Sequence, residues 1–314
     1  MKKVIPALFL TLLSASASAQ ESQTSYNFLR LPASAHAAAL GGDNISVVED
    51  DASLIFHNPA LISSVTDKSI NLNYMTYMEG VKTVSAAFVK SAGQRGTWGA
   101  QAMYMDYGTI KETTASNEVV GDFSAKDIMV GGTFTYLLAN KLAGGVTAKF
   151  ISSSIAGYNS LAVGVDLGLN YYDESRDISI SAVARNLGGQ VKAFDDHFER
   201  IPLDLQLGVT KRLTGAPLRF SGTLTRLNSW DDSFIRHLAF GADLLLSSQI
   251  YLAAGYNFRR GDEMKISDGD GESSHGAALS FGGGLQLERF KLHVAYAKYH
   301  VSSNSLLFNL TYCL

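Results

Sequence analysis

Large apolar residues alternate with small or polar ones along most of the chain after about residue 68. In the segment LAVGVDLGLNY, residues 161–171, every odd position holds Leu, Val or Tyr, and every even position holds Ala, Gly, Asp or Asn. Successive side chains of a β-strand point to opposite faces, so this period of two predicts strands. The pattern therefore indicates a chain built mainly of β-strands.

Fourteen segments follow this pattern. They lie at residues 68–79, 81–91, 95–107, 122–138, 141–154, 158–172, 176–188, 201–213, 217–228, 233–247, 249–260, 275–288, 289–300 and 303–314. Single-chain bacterial barrels have an even number of strands. Most of the segments also exceed the roughly 9–11 residues with which a tilted strand crosses a bilayer.

The polar face of these segments carries mainly Gly, Ala, Ser, Thr and Asn, with few charges. A soluble β-sandwich would place its apolar face inside and its polar, charged face in water. The observed mixture instead predicts apolar side chains that face lipid and small polar ones that fill an interior. The predicted fold is therefore all-β, a 14-stranded antiparallel transmembrane β-barrel spanning residues 68–314.

Three long connections follow the third, seventh and eleventh segments, at residues 108–121, 189–200 and 261–274. Because all three follow odd-numbered segments, they lie at the same end of an antiparallel barrel. Connections at the opposite end are short. Bacterial barrels have short periplasmic turns and longer outer loops, so the three long connections are predicted to lie outside the cell.

Residues 20–67 have a different pattern, with short helical turns. Asp50 or Asp51 can cap the turn ASLIF, while Asn58, with Pro59 at the first helical position, can cap a second turn, PALIS. Turns this short are not stable alone. We therefore expect an N-terminal hatch, or plug, folded inside the barrel. A periplasmic segment that merely leads into the first strand is the alternative.

Residues 1–19 have the features of a cleaved signal peptide. Two lysines precede an apolar run at residues 4–13, and Ala17-Ser18-Ala19 provides a small-residue cleavage site before Gln20. No later run approaches the roughly 20 apolar residues of a spanning helix. The chain is therefore predicted to be exported to the outer membrane. Its single cysteine, Cys313, excludes an intrachain disulfide.

Composition and motif spacing do not point to catalysis. The formal net charge of -3 does not suggest a nucleic-acid partner. The seven histidines have no HxH or HxxxH spacing, so we predict no metal site. No local arrangement joins a nucleophile to a base. We therefore predict no catalytic residue and no cofactor.

Four charged residues lie on the predicted inward faces, namely Lys149, Asp166, Asp204 and Asp243. An unpaired charge is costly where water is scarce, so we expect these side chains to pair with one another or with the hatch. A charged permeation path is the alternative.

The outer loops hold the candidate partner-binding residues. Phe194 and Phe198 could anchor a partner, because exposed aromatic residues are frequent hot spots. Packing against the barrel rim is the alternative. Asp268 and Asp270 lie in the loop sequence SDGDGES. Spaced acids can bind Ca²⁺, but this loop lacks a full ligand set, so we predict a solvated loop that contributes to the same contact surface.

The stretch LGGDNISVVEDDASLIFHNPALIS, followed by NLNYMTYM, resembles the hatch and first strand of the FadL-type outer-membrane barrels. Together with VSAAFVK, GVDLGLNYYD and AAGYNFRR, it looks most like the PorV/PorQ group of the type IX secretion system of Bacteroidetes. The resemblance covers the whole chain after the predicted signal peptide. It implies a non-enzymatic outer-membrane component of a cell-surface attachment complex that anchors or scaffolds PorZ- and PorU-like proteins. The implied partners are PorZ-, PorU- and PorV-like proteins of that complex and outer-membrane lipid.

An alternative function remains open, that of a FadL-like transporter of hydrophobic small molecules. A transporter needs a gap in the barrel wall or a mobile hatch, with an apolar pocket behind it.

Overall fold

A computed structural model describes residues 24–78, 80–230, 233–267, 272–273, 276–301 and 303–314. The predicted signal peptide lies outside these residues. The strands are β1 (Ser69–Thr76), β2 (Lys82–Ala92), β3 (Gly96–Thr113), β4 (Val119–Ala139), β5 (Leu142–Ile155), β6 (Tyr158–Asp173), β7 (Ile178–Lys192), β8 (Asp204–Arg212), β9 (Leu218–Leu224), β10 (Leu238–Leu245), β11 (Ile250–Asn257), β12 (Ile266–Ser267), β13 (Glu272–Ser273), β14 (Leu279–Gln286), β15 (Phe290–His300) and β16 (Ser303–Cys313).

Fourteen of these strands form one closed antiparallel barrel, which confirms the predicted fold class. Each strand pairs with its neighbours in the sequence, except that β11 pairs with β14. β12 and β13 form a separate two-stranded ribbon within that connection. The barrel closes where β1 pairs with β16, with Asn73 opposite Asn309.

The alternation of residue types sets which face of the wall each side chain occupies. On β6, Leu167 and Leu169 are 44% and 45% exposed on the outside of the barrel. Their neighbours Asp166 and Asn170 are 2% and 4% exposed and face inward. An apolar outer band around a polar interior is typical of bacterial membrane barrels.

Several predicted strand boundaries are wrong. β3 and β4 extend well beyond the barrel wall, so most of the predicted loop 108–121 is a β-hairpin that turns at residues 114–118. A bulge at residues 107–108, with Gly108 at φ 71°, interrupts the alternation and conceals this extension. Residues 258–260 were predicted to continue a strand, but Asn257 caps the helix Phe258–Glu263 there.

The connections between β7 and β8 and between β9 and β10 also differ from prediction. β7 continues to Lys192, beyond its predicted end at residue 188, and β8 begins at Asp204 rather than at residue 201. The 3₁₀ turn Phe234–His237 replaces the predicted start of β10. β9 ends at Leu224, shortly before Arg226 adopts a left-handed backbone with φ 54°. This end of the barrel, where the longer connections lie, is called the outer end below.

The hatch fills the lumen. Its helical elements are the 3₁₀ turn Asn27–Arg30, the helix Ala35–Ala39 and the 3₁₀ turns Ala52–Phe56 and Pro59–Ser64. Most of its side chains between residues 28 and 62 are buried. Elsewhere in the described chain, the 3₁₀ turn Glu174–Arg176 joins β6 to β7. Two apolar clusters hold the hatch against opposite sides of the wall.

Candidate functional site

The Asn58-Pro59 bend attaches the hatch to the barrel wall. Asn58 Oδ1 accepts a hydrogen bond from the Ala60 N–H at 2.9 Å and so caps the last 3₁₀ turn. Asn58 Nδ2 donates to the Ile45 carbonyl at 3.0 Å. Thr135 Oγ1 of β4 donates to the Pro59 carbonyl at 2.5 Å. The predicted bend is therefore also a contact between the hatch and β4.

Glycines on the inner face of the wall make room for this bend. A Cβ atom added to Gly168 of β6 would lie 2.1 Å from Asn58 Oδ1 and 2.9 Å from Pro59 Cδ. One added to Gly145 of β5 would lie 2.5 Å from the Pro59 carbonyl carbon. Both distances are far inside van der Waals contact. The hatch can dock in this position only because neither residue has a side chain.

Asp50 and Asp51 have different roles in the structure. The sequence leaves open which of them caps the turn ASLIF. Asp51 Oδ1 accepts from the Ser53 N–H at 2.9 Å, so Asp51 is the cap. Asp50 Oδ1 accepts from the Thr66 N–H at 2.7 Å, and its carboxylate pairs with Lys291 of β15. Asp50 thereby joins the end of the hatch to the barrel.

A buried charged cluster joins the hatch to the opposite wall. His36 Nε2 lies 2.8 Å from Asp243 Oδ1 of β10, and His36 Nδ1 contacts the Glu49 carboxylate. Arg219 Nε of β9 donates to Asp243 Oδ2 at 2.6 Å. The ring of Tyr251 of β11 stacks on His36 with centroids 4.0 Å apart. These five residues are called the hatch lock below.

Electrostatics favour the charged form of His36. Burial alone would lower the pKa of His36, but the Glu49 and Asp243 carboxylates outweigh it and raise the pKa to about 9. Burial would raise the pKa of Glu49, but His36 and Arg219 hold that pKa below its usual range. The hatch lock therefore contains a cationic imidazole and an ionised carboxylate at neutral pH.

His57, elsewhere in the hatch, is in the opposite state. Burial and the nearby Arg185 guanidinium lower the pKa of His57 to about 3. A neutral imidazole can accept a hydrogen bond, and His57 Nε2 accepts one from the Ser34 N–H at 3.4 Å.

The four predicted lumen charges have different partners. Lys149 Nζ lies 2.7 Å from Asp166 Oδ1, and both side chains are 3% exposed. Asp243 belongs to the hatch lock. Asp204 instead accepts hydrogen bonds from the Arg226 N–H at 2.6 Å and from Gln206 Nε2 at 2.7 Å. The role of these four charges, in structural pairing or in a charged permeation path, stays a prediction.

The sequence pattern did not identify His36, Glu49, Arg219 or Arg185 as site residues. A signal was present for His36, since it interrupts a small and apolar stretch of the hatch. Arg219 also shares the inward face of β9 with Ser221 and Thr223, two residues that the structure buries. Arg185 Nη2 donates to the Leu29 carbonyl of the hatch at 2.9 Å.

The other side of the hatch packs against an apolar wall. The inward-facing residues of this wall are Met103, Met105, Met129 and Ile151, all 4% exposed or less. They belong to one cluster with Phe28, Leu29 and Phe56 of the hatch and with Ile201 of the β7–β8 connection. This set is called the luminal apolar cluster. An apolar lining is unusual on the polar inner face of a membrane barrel.

The barrel wall is incomplete between β7 and β8. Their pairing ends at Arg185 opposite Asp204, so residues 186–192 of β7 pair only with β6. A register shift and the left-handed Asn186, at φ 59°, lie where the pairing stops. The β7–β8 loop covers the gap, and Asn186 Nδ2 donates to the Pro202 carbonyl at 2.8 Å.

A cavity of about 370 Å³ lies beside this gap. Leu187, Ile201 and Leu203 line it together with polar residues of the hatch and the outer loops. Ile201 also belongs to the luminal apolar cluster. Its side chain therefore separates the cavity from the apolar interior of the barrel.

The two predicted aromatic anchors lie in the β7–β8 connection. Phe198 is 68% exposed, whereas Phe194 is half-buried. Asp268 and Asp270 lie outside the described residues. The β9–β10 connection presents Trp230, Phe234 and Ile235, each more than half exposed, which the sequence analysis did not identify.

No group of three or more His, Cys, Asp and Glu side chains among the described residues is placed to hold a metal ion. No helix in the described ranges is long and apolar enough to cross a membrane.

No protein-family model matches this chain, and no curated protein matches it. Several solved structures are similar. The toluene transporter TodX of Pseudomonas putida has a TM-score of 0.57 and 14% identity, and the match covers 90% of this chain and 96% of that chain. A FadL homologue of Pseudomonas aeruginosa has a TM-score of 0.54 and 13% identity, with 90% and 98% covered.

A TodX deltaS2S3 mutant, described as a monoaromatic hydrocarbon channel, has a TM-score of 0.60 and 12% identity, with 88% and 97% covered. At such identities the likeness shows the fold alone. The fold is that of the FadL-type outer-membrane barrels, and together with the apolar outer band it supports an outer-membrane location.

Proposed function

We propose that this chain forms an outer-membrane channel through which small apolar molecules pass. The observation that carries the proposal is the gap between β7 and β8, with a cavity beside it that meets the luminal apolar cluster at Ile201. A gap in the wall with apolar residues behind it is what a transporter of this class requires. The similar barrels include a toluene transporter and a monoaromatic hydrocarbon channel.

Entry needs only a local movement of the β7–β8 loop. Residues 201–203 lie in the gap without strand pairing to β7. Asn186 Nδ2 donates to the Pro202 carbonyl at 2.8 Å, Asn228 Nδ2 donates to the Leu203 carbonyl at 3.3 Å, and the Ser25 N–H donates to the neighbouring Arg200 carbonyl at 3.0 Å. Breaking these few loop hydrogen bonds costs less than opening a fully paired strand. Met103, Met105 and Met129 are flexible and can repack around a ligand of irregular shape.

The hatch is held unequally on its two sides, which suits passage on one side only. On the side of β9 to β11, the hatch lock adds ion pairs to apolar packing. On the side of β2 to β5, apolar packing predominates and is accompanied by the hydrogen bond from Thr135 to the Pro59 carbonyl. Apolar contacts have no directional requirement, so a hydrophobic molecule can replace them. The luminal apolar cluster is therefore the side along which a ligand would move past the hatch.

The test measures uptake of radiolabelled toluene by whole cells whose outer membrane holds no other channel of this kind. Ile201→Asp, which places a charge between the gap and the luminal apolar cluster, should lower uptake several-fold. Phe198→Asp, in the same loop but exposed, is the matched control and should leave uptake unchanged. Heat-modifiable migration in gels checks that each barrel folds. Equal uptake with and without the wild-type protein would contradict the proposal.

A second function is proposed because the outer loops expose apolar side chains. Phe198, Trp230, Phe234 and Ile235 lie together with charged residues on the connections that follow β7 and β9. Exposed aromatic residues are common anchors of protein interfaces. We propose that these loops could anchor PorZ-, PorU- and PorV-like proteins of a type IX attachment complex, as the resemblance in the hatch implies.

Pull-down from native outer membranes tests the second function. Wild-type protein should co-purify with such surface proteins, and the Phe198→Ala/Trp230→Ala double variant should not. Tyr136→Ala, at the opposite end of the barrel, is the control. Toluene uptake without partner capture would favour the channel, whereas partner capture without toluene uptake would favour the scaffold.

A further inference from the structure

A second cavity, of about 220 Å³, lies at the outer end of the lumen. It is enclosed by the hatch, by residues of β7, β8 and β11, by the start of the β9–β10 connection, by Tyr77 and Tyr299, and by the helix Phe258–Glu263. The arginines that line it are Arg30, Arg185, Arg226, Arg259 and Arg260. The acids are Asp43, Asp204 and Glu263. Among the described residues of the lining, five formal positive charges stand against three negative ones.

Arg260 is fixed in the wall of this cavity. Its Nε donates to the Ala277 carbonyl at 2.6 Å, and its Nη2 donates to the carbonyls of Ala278 and Leu279 at 3.1 and 3.2 Å. The guanidinium carbon also lies 4.9 Å from the centroid of the Tyr299 ring. These contacts hold the guanidinium in one orientation. Its remaining nitrogen, Nη1, is buried without a hydrogen-bond acceptor among the described residues.

Arg185 approaches the same cavity from β7. Its Nη2 donates to the Leu29 carbonyl, but its Nε is buried and has no acceptor in the described part of the chain. Arg185 and Arg260 are 7% and 6% exposed. Neither forms an ion pair within 4.0 Å with a described carboxylate, although a buried guanidinium without an anion is costly.

The acids of the cavity have other partners among the described residues. Glu263 pairs with Arg226 and Arg259, each at 3.4 Å. Asp43 Oδ2 accepts a hydrogen bond from Asn257 Nδ2 at 3.0 Å. Burial and the neighbouring Asp204 raise the pKa of Asp43, although Arg185 and Arg260 oppose this rise. An anion entering the cavity would therefore meet two preoriented guanidinium groups and would compete with Asp43 for them.

We propose that this cavity binds a phosphate monoester group, held by Arg185 and Arg260. Planar guanidinium groups match the tetrahedral oxygens of phosphate and form charge-assisted hydrogen bonds with them. Arg30 and Asn186 line both this cavity and the one beside the β7–β8 gap. A phosphate could therefore reach the site on a lipid headgroup through the wall or on a free solute through the outer loops. The proposal does not depend on passage of apolar molecules.

The experiment uses the full barrel in detergent and two probes. Inorganic phosphate is measured by calorimetric titration, with chloride at equal ionic strength as the blank, and a monophosphoryl lipid A in mixed micelles is measured by native mass spectrometry. Arg185→Gln and Arg260→Gln should each weaken binding about tenfold, since each removes a charge-assisted hydrogen bond. Arg95→Gln, exposed at the opposite end of the barrel, should bind as the wild type does.

Binding of both probes supports a site for the phosphate group itself, and binding of the lipid alone supports a headgroup site. A second measurement guards against misfolded variants, because the wild-type barrel should unfold at a higher temperature in phosphate than in chloride. The proposal is overturned if neither probe binds, or if both glutamine variants bind as tightly as the wild type.

Discussion

His36 Nε2 in the hatch lies 2.8 Å from Asp243 Oδ1 in β10, although 207 residues separate them. The second ring nitrogen of His36 contacts Glu49, so one imidazole bridges two carboxylates. This arrangement makes one of the contacts between the hatch and the wall depend on the protonation of a single side chain.

The attachment should weaken at alkaline pH. The pKa of His36 is raised from 6.5 to about 9 in the folded protein, so its contribution to stability is fully present below about pH 6.5. That contribution is lost as the pH rises through about 9. We expect limited proteolysis of the hatch to accelerate between pH 7 and pH 10. His197→Gln, on an exposed loop, should keep this dependence, whereas His36→Gln should remove it.

Packing of the hatch should be sensitive to one methyl group on β6. Gly168→Ala places a Cβ against Asn58 and Pro59, and overpacking of this kind costs about 1–3 kcal/mol. Gly222→Ala on β9 is the matched control, since no heavy atom lies within 4 Å of its added Cβ. Thermal unfolding in detergent measures both. Equal melting temperatures for the two variants would show that the hatch does not sit on β6.

The buried pair Lys149 and Asp166 should behave as a unit. Removing one partner leaves an uncompensated buried charge, so Lys149→Met should cost about 3–5 kcal/mol. The double variant Lys149→Met/Asp166→Leu should recover part of this loss, because neither charge remains. Urea unfolding in a double-mutant cycle measures the coupling. Additive effects of the two substitutions would contradict a direct interaction.

The apolar outer band should resist charge most strongly at its centre. Leu167→Arg, midway along β6, should cost about 2–4 kcal/mol, while Leu246→Arg, in the short turn after β10, should cost about 0–1 kcal/mol. Unfolding from lipid vesicles compares the two variants. Similar costs would place the bilayer elsewhere along the wall.

The barrel could be predicted because each strand carries its own alternation, and local alternation requires no knowledge of partners. The caps of the hatch could be predicted for the same reason, since Asn58 and Asp51 each bond to a residue two positions away. The hatch lock could not, because alternation assigns Asp243 and Arg219 to a face but does not identify what lies across the lumen.

The gap between β7 and β8 could not be predicted either. Residues 186–192 keep enough strand character to pair with β6, so their sequence does not reveal a missing neighbour on the other side. The pairing between β7 and β8 ends where Asn186 adopts a left-handed backbone and where the β7–β8 loop contacts Asn186 through the Pro202 carbonyl. Both are properties of the assembled wall.

Asn309 of β16 has a consequence for the order of assembly. Its side-chain Nδ2 donates to the Ala33 carbonyl in the hatch and to Asn73 Oδ1 on β1. Its side-chain Oδ1 accepts from the Ala35 N–H. The seam between the two terminal strands and the docking of the hatch therefore share one side chain. A barrel that closed before the hatch had docked would leave the Asn309 side-chain amide without its hatch partners. We therefore expect closure of the barrel and docking of the hatch to occur together.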